Sequence, residues 1–342
     1  MENLYHKAKV GVIIPFWNVA QYMERCAESL MNQTLDDMQF VFVNDASTDE
    51  SAFILQKVVA RHPERSDQVQ IIHHDSNKGV AISRKTGLDF IQAEYITQCD
   101  SDDWVEPTIY EKLYEIACVN NSDMVICNEV SVPRMRIAGR SGIQNETGSN
   151  HLLDVLHWHL LPNVWARLVR DDVYRKVIFP TESHLDDWVQ CVQLHAYCRV
   201  VSFINGLLYH YTDNPSSITN STDGTNCDEV FRQCKANMKM VEEFVLPRKL
   251  AIEKDLVFMK QLVRKHLAPM LQRRQGRRKY LDAFPEINRA LITAPWVPLY
   301  YKVEHMAIWL NLYPEWCRMI VPTYRALKKL AHRIAGKKID LS

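Results

Sequence analysis

The sequence predicts an α/β chain: an open, mostly parallel sheet flanked by helices, followed by a C-terminal helical region. Three observations carry this expectation. Short apolar runs rich in β-branched residues alternate with helix-period patterns as far as Cys127. Polar and acidic residues gather directly after those runs, where sheets of this kind collect ligands. From about Asn226 the texture turns helical, basic and aromatic.

Val10 to Phe16 (VGVIIPF) is a near-continuous apolar run, as expected of a strand buried on both faces. A turn at Trp17-Asn18 leads into a helix from Ala20 to Gln33, with Tyr22, Cys26, Ser29 and Leu30 on one stripe. Phe40 to Val43 is a second buried strand, and Asn44-Asp45-Ala46-Ser47-Thr48-Asp49 offers cap chemistry for a helix running to His62. Val69 to His73 makes a third strand, and Asn77-Lys78-Gly79 opens a helix through Phe90. Tyr95 to Gln98 and Met124 to Cys127 supply two more strands, separated by a helix from Thr108 to Val119. A later helix spans Trp188 to Tyr197. Farther on, Met238 to Leu246 and Ala251 to Leu271 carry apolar residues at helical spacing, broken at Pro247 and Pro269.

With 342 residues and 47% hydrophobic composition, the chain can bury a core and has room for two domains. Formal net charge is zero, but residues 248–342 hold 20 Lys and Arg against 7 Asp and Glu, so an acidic body carries a basic tail. Nine single cysteines without a CxxC pair argue against a disulfide framework or structural zinc and fit reduced, intracellular thiols. Met1 to Lys9 lacks the apolar core of a secretory signal, and no apolar stretch is long enough for a spanning helix.

The chemistry centres on Cys99-Asp100-Ser101-Asp102-Asp103-Trp104, a carboxylate cluster just after a strand. Such a cluster repels itself unless a cation joins it, and Mg²⁺ or Mn²⁺ held by carboxylates and substrate phosphates meets that need. The alternative is a solvated acidic turn. The loop rule for α/β sheets gathers Phe16-Trp17-Asn18, Asn44-Asp45, Asp75 to Gly79 and Asp100 to Asp103 around one crevice.

Six stretches together resemble the family 2 glycosyltransferases. They are Val12 to Asn18 (VIIPFWN), Tyr22 to Gln33 (YMERCAESLMNQ), Val43 to Asp49 (VNDASTD), Asn77-Lys78-Gly79, Ser83 to Leu88 (SRKTGL), and Glu94-Tyr95-Ile96 leading into Asp100-Ser101-Asp102-Asp103. The resemblance fades after about Thr219 and implies the nucleotide-sugar-binding GT-A fold. It implies a catalytic domain over 1–222, with a nucleotide-sugar part at 8–130 and an acceptor part at 131–222, then a helical region at 223–342.

By this resemblance Pro15, Trp17 and Asn18 line the base pocket, Asp45 accepts from base or ribose, and Asn77, Lys78, Gly79 and Arg84 grasp the nucleotide. Asp100 and Ser101 touch the donor, and Asp102 with Asp100 holds the metal, Mn²⁺ or Mg²⁺. Trp17 is otherwise a core aromatic, and Asn77 to Arg84 otherwise a helix start with solvated charge. Asp186-Asp187-Trp188 stands where the family often has Glu-Asp-Trp, making Asp187 the general base beside Asp186; the alternative is acidic capping of a helix. Trp165 and Arg167 (NVWARLVR), with Trp188, fall to the acceptor side, Trp165 either stacking on sugar or packing in the core. Relatives commonly have Arg where Thr212 stands, and His210 is either structural or a metal or phosphate contact.

The expected activity is inverting transfer of a hexose or N-acetylhexosamine from a UDP-sugar to a hydroxyl of a glycan or lipid-linked glycan. Surface polysaccharide or lipopolysaccharide synthesis in the cytoplasm, peripheral on the inner membrane face, is the implied setting. Nucleotidyl transfer and a non-catalytic carbohydrate-binding or scaffold role are the competing readings. The basic run Arg273 to Lys279 and the aromatics Trp296, Tyr300, Tyr301, Trp309, Tyr313, Trp316 and Tyr324, ending in Lys328-Lys329 and Lys337-Lys338, suit an anionic membrane surface. Packing on the catalytic domain or on a second subunit of a homo-oligomer is the alternative, and no nucleic-acid module is present. Pro133 to Asn150 is expected to shape the pocket.

Overall fold

The structure, a computed structural model, describes residues 7–132, 137–138, 145–146, 148–157, 159–215, 226–297 and 299–318. Most of the loop 133–150, Ser216 to Thr219, Tyr324 and the two terminal lysine pairs lie outside the described residues. By internal packing the chain forms two compact units: residues 1–220 with 236–251, and residues 221–235 with 252–342.

The first unit begins with β1 (Ala8–Phe16), α1 (Ala20–Met31), β2 (Met38–Asn44), α2 (Ser51–Arg61), β3 (Val69–His73), α3 (Val80–Phe90) and β4 (Ala93–Gln98). Strands β3, β2, β1 and β4 lie side by side and wholly parallel. Burial explains this: in β1 every residue but Lys9 is buried, so helices must cover both faces. Helix α3 crosses β1 so closely at Gly87 that an added Cβ would lie 2.3 Å from Ile13. Helix α1 ends at Met31, earlier than the expected Gln33, because the Gln33 amide turns back to donate to the Ser29 and Glu106 carbonyls.

The second half follows as β5 (Trp104–Val105), α4 (Ile109–Asn120), β6 (Met124–Val132), β7 (Ile137–Ala138), β8 (Asn145–Glu146), α5 (Gly148–Leu156), β9 (Arg167–Arg170), α6 (Asp171–Tyr174), α7 (Asp186–Tyr197) and β10 (Val201–Thr212). The sheet runs β3-β2-β1-β4-β9-β6-β10-β5, with β7 on β6 and β8 on β10. Antiparallel pairing enters here: β9 lies between β4 and β6, and β5 pairs with the end of β10. One apolar cluster, including Val12, Ile14, Phe40, Leu113 and Tyr209, fills one side of the sheet, and another around Ile13, Val41, Ile96 and Phe203 fills the other. The α/β class and flanking helices are as the sequence predicted.

Parallel register places Phe16 beside Asn44 and Asn44 beside His73, so the carboxyl ends of β1, β2 and β3 open together. The pairing of Trp104 with His210 brings the turn after β4 to the end of β10. Both facts position the crevice described below.

Helix α8 (Cys227–Val245) starts well before the expected Met238. The second unit contains its first turns, then α9 (Glu253–Arg264), α10 (Arg274–Asp282), α11 (Ile287–Thr293) and α12 (Leu299–Trp309). The expected 251–271 helix divides because Pro269 lies in a 3-10 stretch from Lys265 to Gln272. Cys227, Leu267, Leu271, Tyr280 and Ile308 make its core. The basic run is not uniformly solvated: Arg277 is buried and donates to the Leu271 and Gln272 carbonyls and to Asn311. Among the described residues no helix is long and apolar enough to cross a membrane.

Candidate active site

The residues after β1 and β2 interlock through short polar side chains. Asn18 adopts a left-handed backbone (φ 51°) and its Oδ1 accepts from the Thr48 amide at 2.8 Å, while its own amide donates to Ser47 Oγ. That places Pro15 in the buried end of β1 and leaves Trp17 half exposed, at 51%, above it. Trp17 is therefore not a core aromatic. Asp45 is buried and accepts from the amides of Lys78 and Gly79 at 2.8 Å each and from His74. Its carboxylate thus fixes the turn that carries Asn77, Lys78 and Gly79, and the Asn77 and Lys78 side chains remain exposed.

Gly79 is where that turn must bend, with φ of 87°. A Cβ there would lie 2.6 Å from Ser183 Oγ, so the nucleotide-side turn touches the segment that leads into α7. Sequence reasoning gave Ser183 no role, since a serine in a loop carries no periodic signal.

The centre is Arg84. Its Nη1 donates to Asp186 Oδ2 at 2.6 Å and to Asp187 Oδ1, and its Nη2 donates to Asp100 Oδ1 at 2.8 Å. One buried guanidinium therefore joins carboxylates from β4's end and α7's start. Burial alone would lower the Arg84 pKa, but Asp186, Asp187 and Asp100 overcome it and hold the group well above its ordinary value. The cation expected on the diphosphate is engaged with carboxylates instead.

Exposure separates the roles within this group. The Arg84 and Asp186 side chains are 4% and 5% exposed, whereas those of Asp100 and Asp187 are 25% and 27% exposed. A ligand can reach Asp100 and Asp187 but not the two buried members. Gln190 also donates to Asp186, which makes Asp186 the anchor of the cluster. Burial raises the pKa of Asp186 and, well above the ordinary carboxyl range, that of Asp187, with Arg84 pulling both back down. Both sit in the first turn of α7, where the helix dipole favours their ionised forms.

Asp102 stands on the other side of Ser101, which is buried. Burial first, then repulsion by Asp100, raises the Asp102 pKa, and Asn214 donates to its Oδ2 at 2.9 Å. Asp103 is fully buried and accepts from the Tyr209 hydroxyl and the Thr212 amide, so it fastens the end of β10 and is not available to a ligand. Among the described residues no three His, Cys, Asp or Glu side chains are gathered to hold a metal. The Asp100 and Asp102 pair nevertheless fits a hard cation that arrives with phosphate oxygens, since Mg²⁺ is commonly held by one or two carboxylates plus substrate.

The residues expected on the acceptor side are mostly interior. Trp188 is 1% exposed, so α7 buries it in the core. Trp165 is 7% exposed and stacks on Tyr209, with ring centroids 4.2 Å apart. Arg167 is buried and donates to Asn163 and to the Leu161 carbonyl. His210 stacks on Trp104 and pairs with Glu106 at 2.7 Å, a structural arrangement. Residues to which sequence reasoning assigned no site role but that touch the site are Arg25, Tyr22 and Asn214, which meet at Asp102 and Thr212.

Residues 11–167 match the family described as Glycosyl transferase family 2. The chain carries a family 2 glycosyltransferase domain. It is 28% identical over 219 residues to EpsH of Bacillus subtilis, covering 61% of this chain and 62% of that protein. It is 27% identical over 237 residues to the cholesterol galactosyltransferase of Borreliella burgdorferi, covering 65% and 64%. The matched stretches thus span less than two thirds of these relatives' lengths. Among solved structures, S. aureus TarS 1-349 in complex with UDP-GlcNAc superposes with a TM-score of 0.67 at 15% identity, over 91% of this chain and 92% of that one. This likeness shows that the family 2 domain has the GT-A fold.

Proposed function

We propose that this chain is an inverting glycosyltransferase that moves a sugar from a nucleotide-diphosphate donor, a UDP-sugar, to a hydroxyl of a glycan. The carrying observation is that Arg84 ties Asp187 to Asp100, which puts a candidate base and a donor-side carboxylate in one site although they are far apart in sequence. The relatives named as glycosyltransferases and the UDP-GlcNAc bound by TarS support the donor class.

The chemistry follows from which carboxylates a ligand can reach. The acceptor hydroxyl gives its proton to the Asp187 carboxylate while its oxygen bonds to the anomeric carbon. The bond from that carbon to the diphosphate breaks on the opposite face, which inverts the configuration and releases the nucleoside diphosphate. Asp102 and Asp100 would hold Mn²⁺ or Mg²⁺, which would supply charge to stabilise the departing diphosphate. Asp186 and Arg84 stay buried and keep Asp187 in place. Nucleotidyl transfer fits less well, because it gives Asp187 no acceptor proton to take.

The setting we propose is assembly of a surface glycan on the cytoplasmic face of a cell membrane, with an anionic bilayer as partner of the C-terminal region. Its support is a set of exposed apolar residues on the second unit: Leu299, Tyr301, Met306, Trp309, Leu310 and Leu312.

Thermal unfolding with UDP-, GDP- and dTDP-sugars, each with and without Mn²⁺, tests the donor reading, because a ligand bound only by the folded state raises the melting temperature. A rise with a UDP-sugar plus Mn²⁺ that disappears in Asp102→Ala is expected. No rise with any of them would overturn it.

A further inference from the structure

We infer that Arg25, on α1, is a ligand of the donor's diphosphate, standing beside Asp102 as the cation that Arg84 cannot supply. This rests on the nucleotide-diphosphate reading above and names a residue for it.

The site is short of accessible positive charge. Asp100, Asp102, Asp186 and Asp187 bear on it; the buried Arg84 guanidinium is already shared by three of these carboxylates, and the buried Arg167, which also attracts Asp187, is engaged with Asn163 and the Leu161 carbonyl. A diphosphate brought here adds more negative charge, and a divalent ion does not by itself offset both the phosphates and four carboxylates. Another cation must face the ligand.

Arg25 meets that requirement by its geometry. Its Nη2 donates to Thr212 Oγ1 at 2.6 Å and to the Asp102 carbonyl at 3.2 Å. Both acceptors are uncharged, so they aim the group without pairing it; the Asp102 carboxylate feels its charge but makes no ion pair with it. Among the described residues Arg25 forms no ion pair, unlike Arg61, which bridges Glu24 and Glu28. Arg25 is exposed, and no described residue accepts from its Nε or Nη1. A guanidinium held by one nitrogen and open along the rest is pre-organised for two phosphate oxygens.

The neighbouring contacts hold that aim. One turn earlier on α1, the Tyr22 hydroxyl donates to Asn214 Oδ1 at 3.3 Å, and Asn214 in turn donates to Asp102 Oδ2. Helix α1 therefore touches Asp102 twice, through Tyr22 by way of Asn214 and through Arg25 directly. On the turn before α3 the exposed Lys78, its amide fixed by Asp45, supplies a second cation that has no ion-pair partner among the described residues.

Calorimetric titration of the full chain with UDP, and separately with inorganic pyrophosphate, each with Mn²⁺, tests the inference. Arg25→Ala should weaken both about tenfold or more, the size of a lost charge-assisted hydrogen bond. Arg25→Lys should lose less, because it keeps the charge. Lys239→Ala, which removes an exposed cation of α8 paired with Glu243, should change neither. Equal loss in Arg25→Lys and Arg25→Ala would mean that the guanidinium acts only by holding Thr212 and the Asp102 carbonyl, and would overturn the inference. Unchanged affinity in Arg25→Ala would overturn it too, leaving the glycosyltransferase reading intact. Failure of the wild type to bind UDP, GDP, dTDP or pyrophosphate with Mn²⁺ would remove the reading itself and the inference with it.

Discussion

Arg84 is the cation that pairs with Asp187, the accessible candidate base. It lowers the pKa of Asp187 against a larger rise caused by burial, so the candidate base still titrates above the ordinary carboxyl range. A base must be unprotonated to act. Transfer should therefore be absent in acid and rise with pH through the elevated Asp187 pKa, and Arg84→Gln should move that limb to still higher pH. A pH-rate profile of the two proteins checks this; an unmoved limb would separate Arg84 from the base. Asp187→Asn should keep donor affinity and lose transfer by about 10²-fold or more, measured as product formed per enzyme at saturating donor. Removing the cation altogether leaves buried Asp186 uncompensated, so Arg84→Ala should cost about 3–5 kcal/mol in urea unfolding. The pairing itself was not legible beforehand. Arg84 and Asp187 were each singled out, but their contact joins residues 103 positions apart, and nothing in local pattern reports such a distance.

At the scale of elements, the site depends on two turns held from outside. The turn before α3 is bound by Asp45 and packed on Ser183, and its Gly79 has both a left-handed backbone and no room for a Cβ. Gly79→Ala should destabilise the chain by about 1 kcal/mol or more and weaken nucleotide binding, as read by thermal unfolding with and without UDP. The segment before α7 is held by the buried Asn237 of α8, whose amide donates to the Glu182 and His184 carbonyls at 2.9 and 2.8 Å. Strands β1, β2 and β4 were legible because each is buried on both faces, which leaves a continuous apolar run. Strand β10 was not, since its register shifts between Ile204, Leu207 and Tyr209 break the two-residue period by which a strand is recognised. The start of α7 at Asp186 was missed by two residues for a related reason: Leu185 enters it in a left-handed conformation and no side chain caps it.

For the molecule as a whole, the charge asymmetry is resolved into particular surfaces. The second unit buries Arg264 against Tyr280 and Arg277 among carbonyls, so part of the basic tail is structural. What remains exposed there is apolar as well as charged, with Trp309 63% and Leu310 61% accessible. Vesicles containing phosphatidylglycerol should sediment with the full chain at low salt, less so at high salt, and Trp309→Glu with Leu310→Glu should reduce the bound fraction severalfold. Equal sedimentation with neutral phosphatidylcholine vesicles would dismiss an anionic surface as the partner.

Sequence by itself determined the α/β class, the order of the parallel strands' residues and the identity of the acidic groups, because burial on both faces and carboxylate clustering are written in neighbouring positions. Tertiary structure alone decided which carboxylates a ligand can reach. Asp103 and Asp186 are buried as fasteners while Asp100 and Asp187 stay accessible, and that distinction arises from β5 pairing with β10 and from one guanidinium bridging β4 and α7. Contacts between residues about a hundred positions apart depend on how the elements pack, which no local pattern of residues encodes.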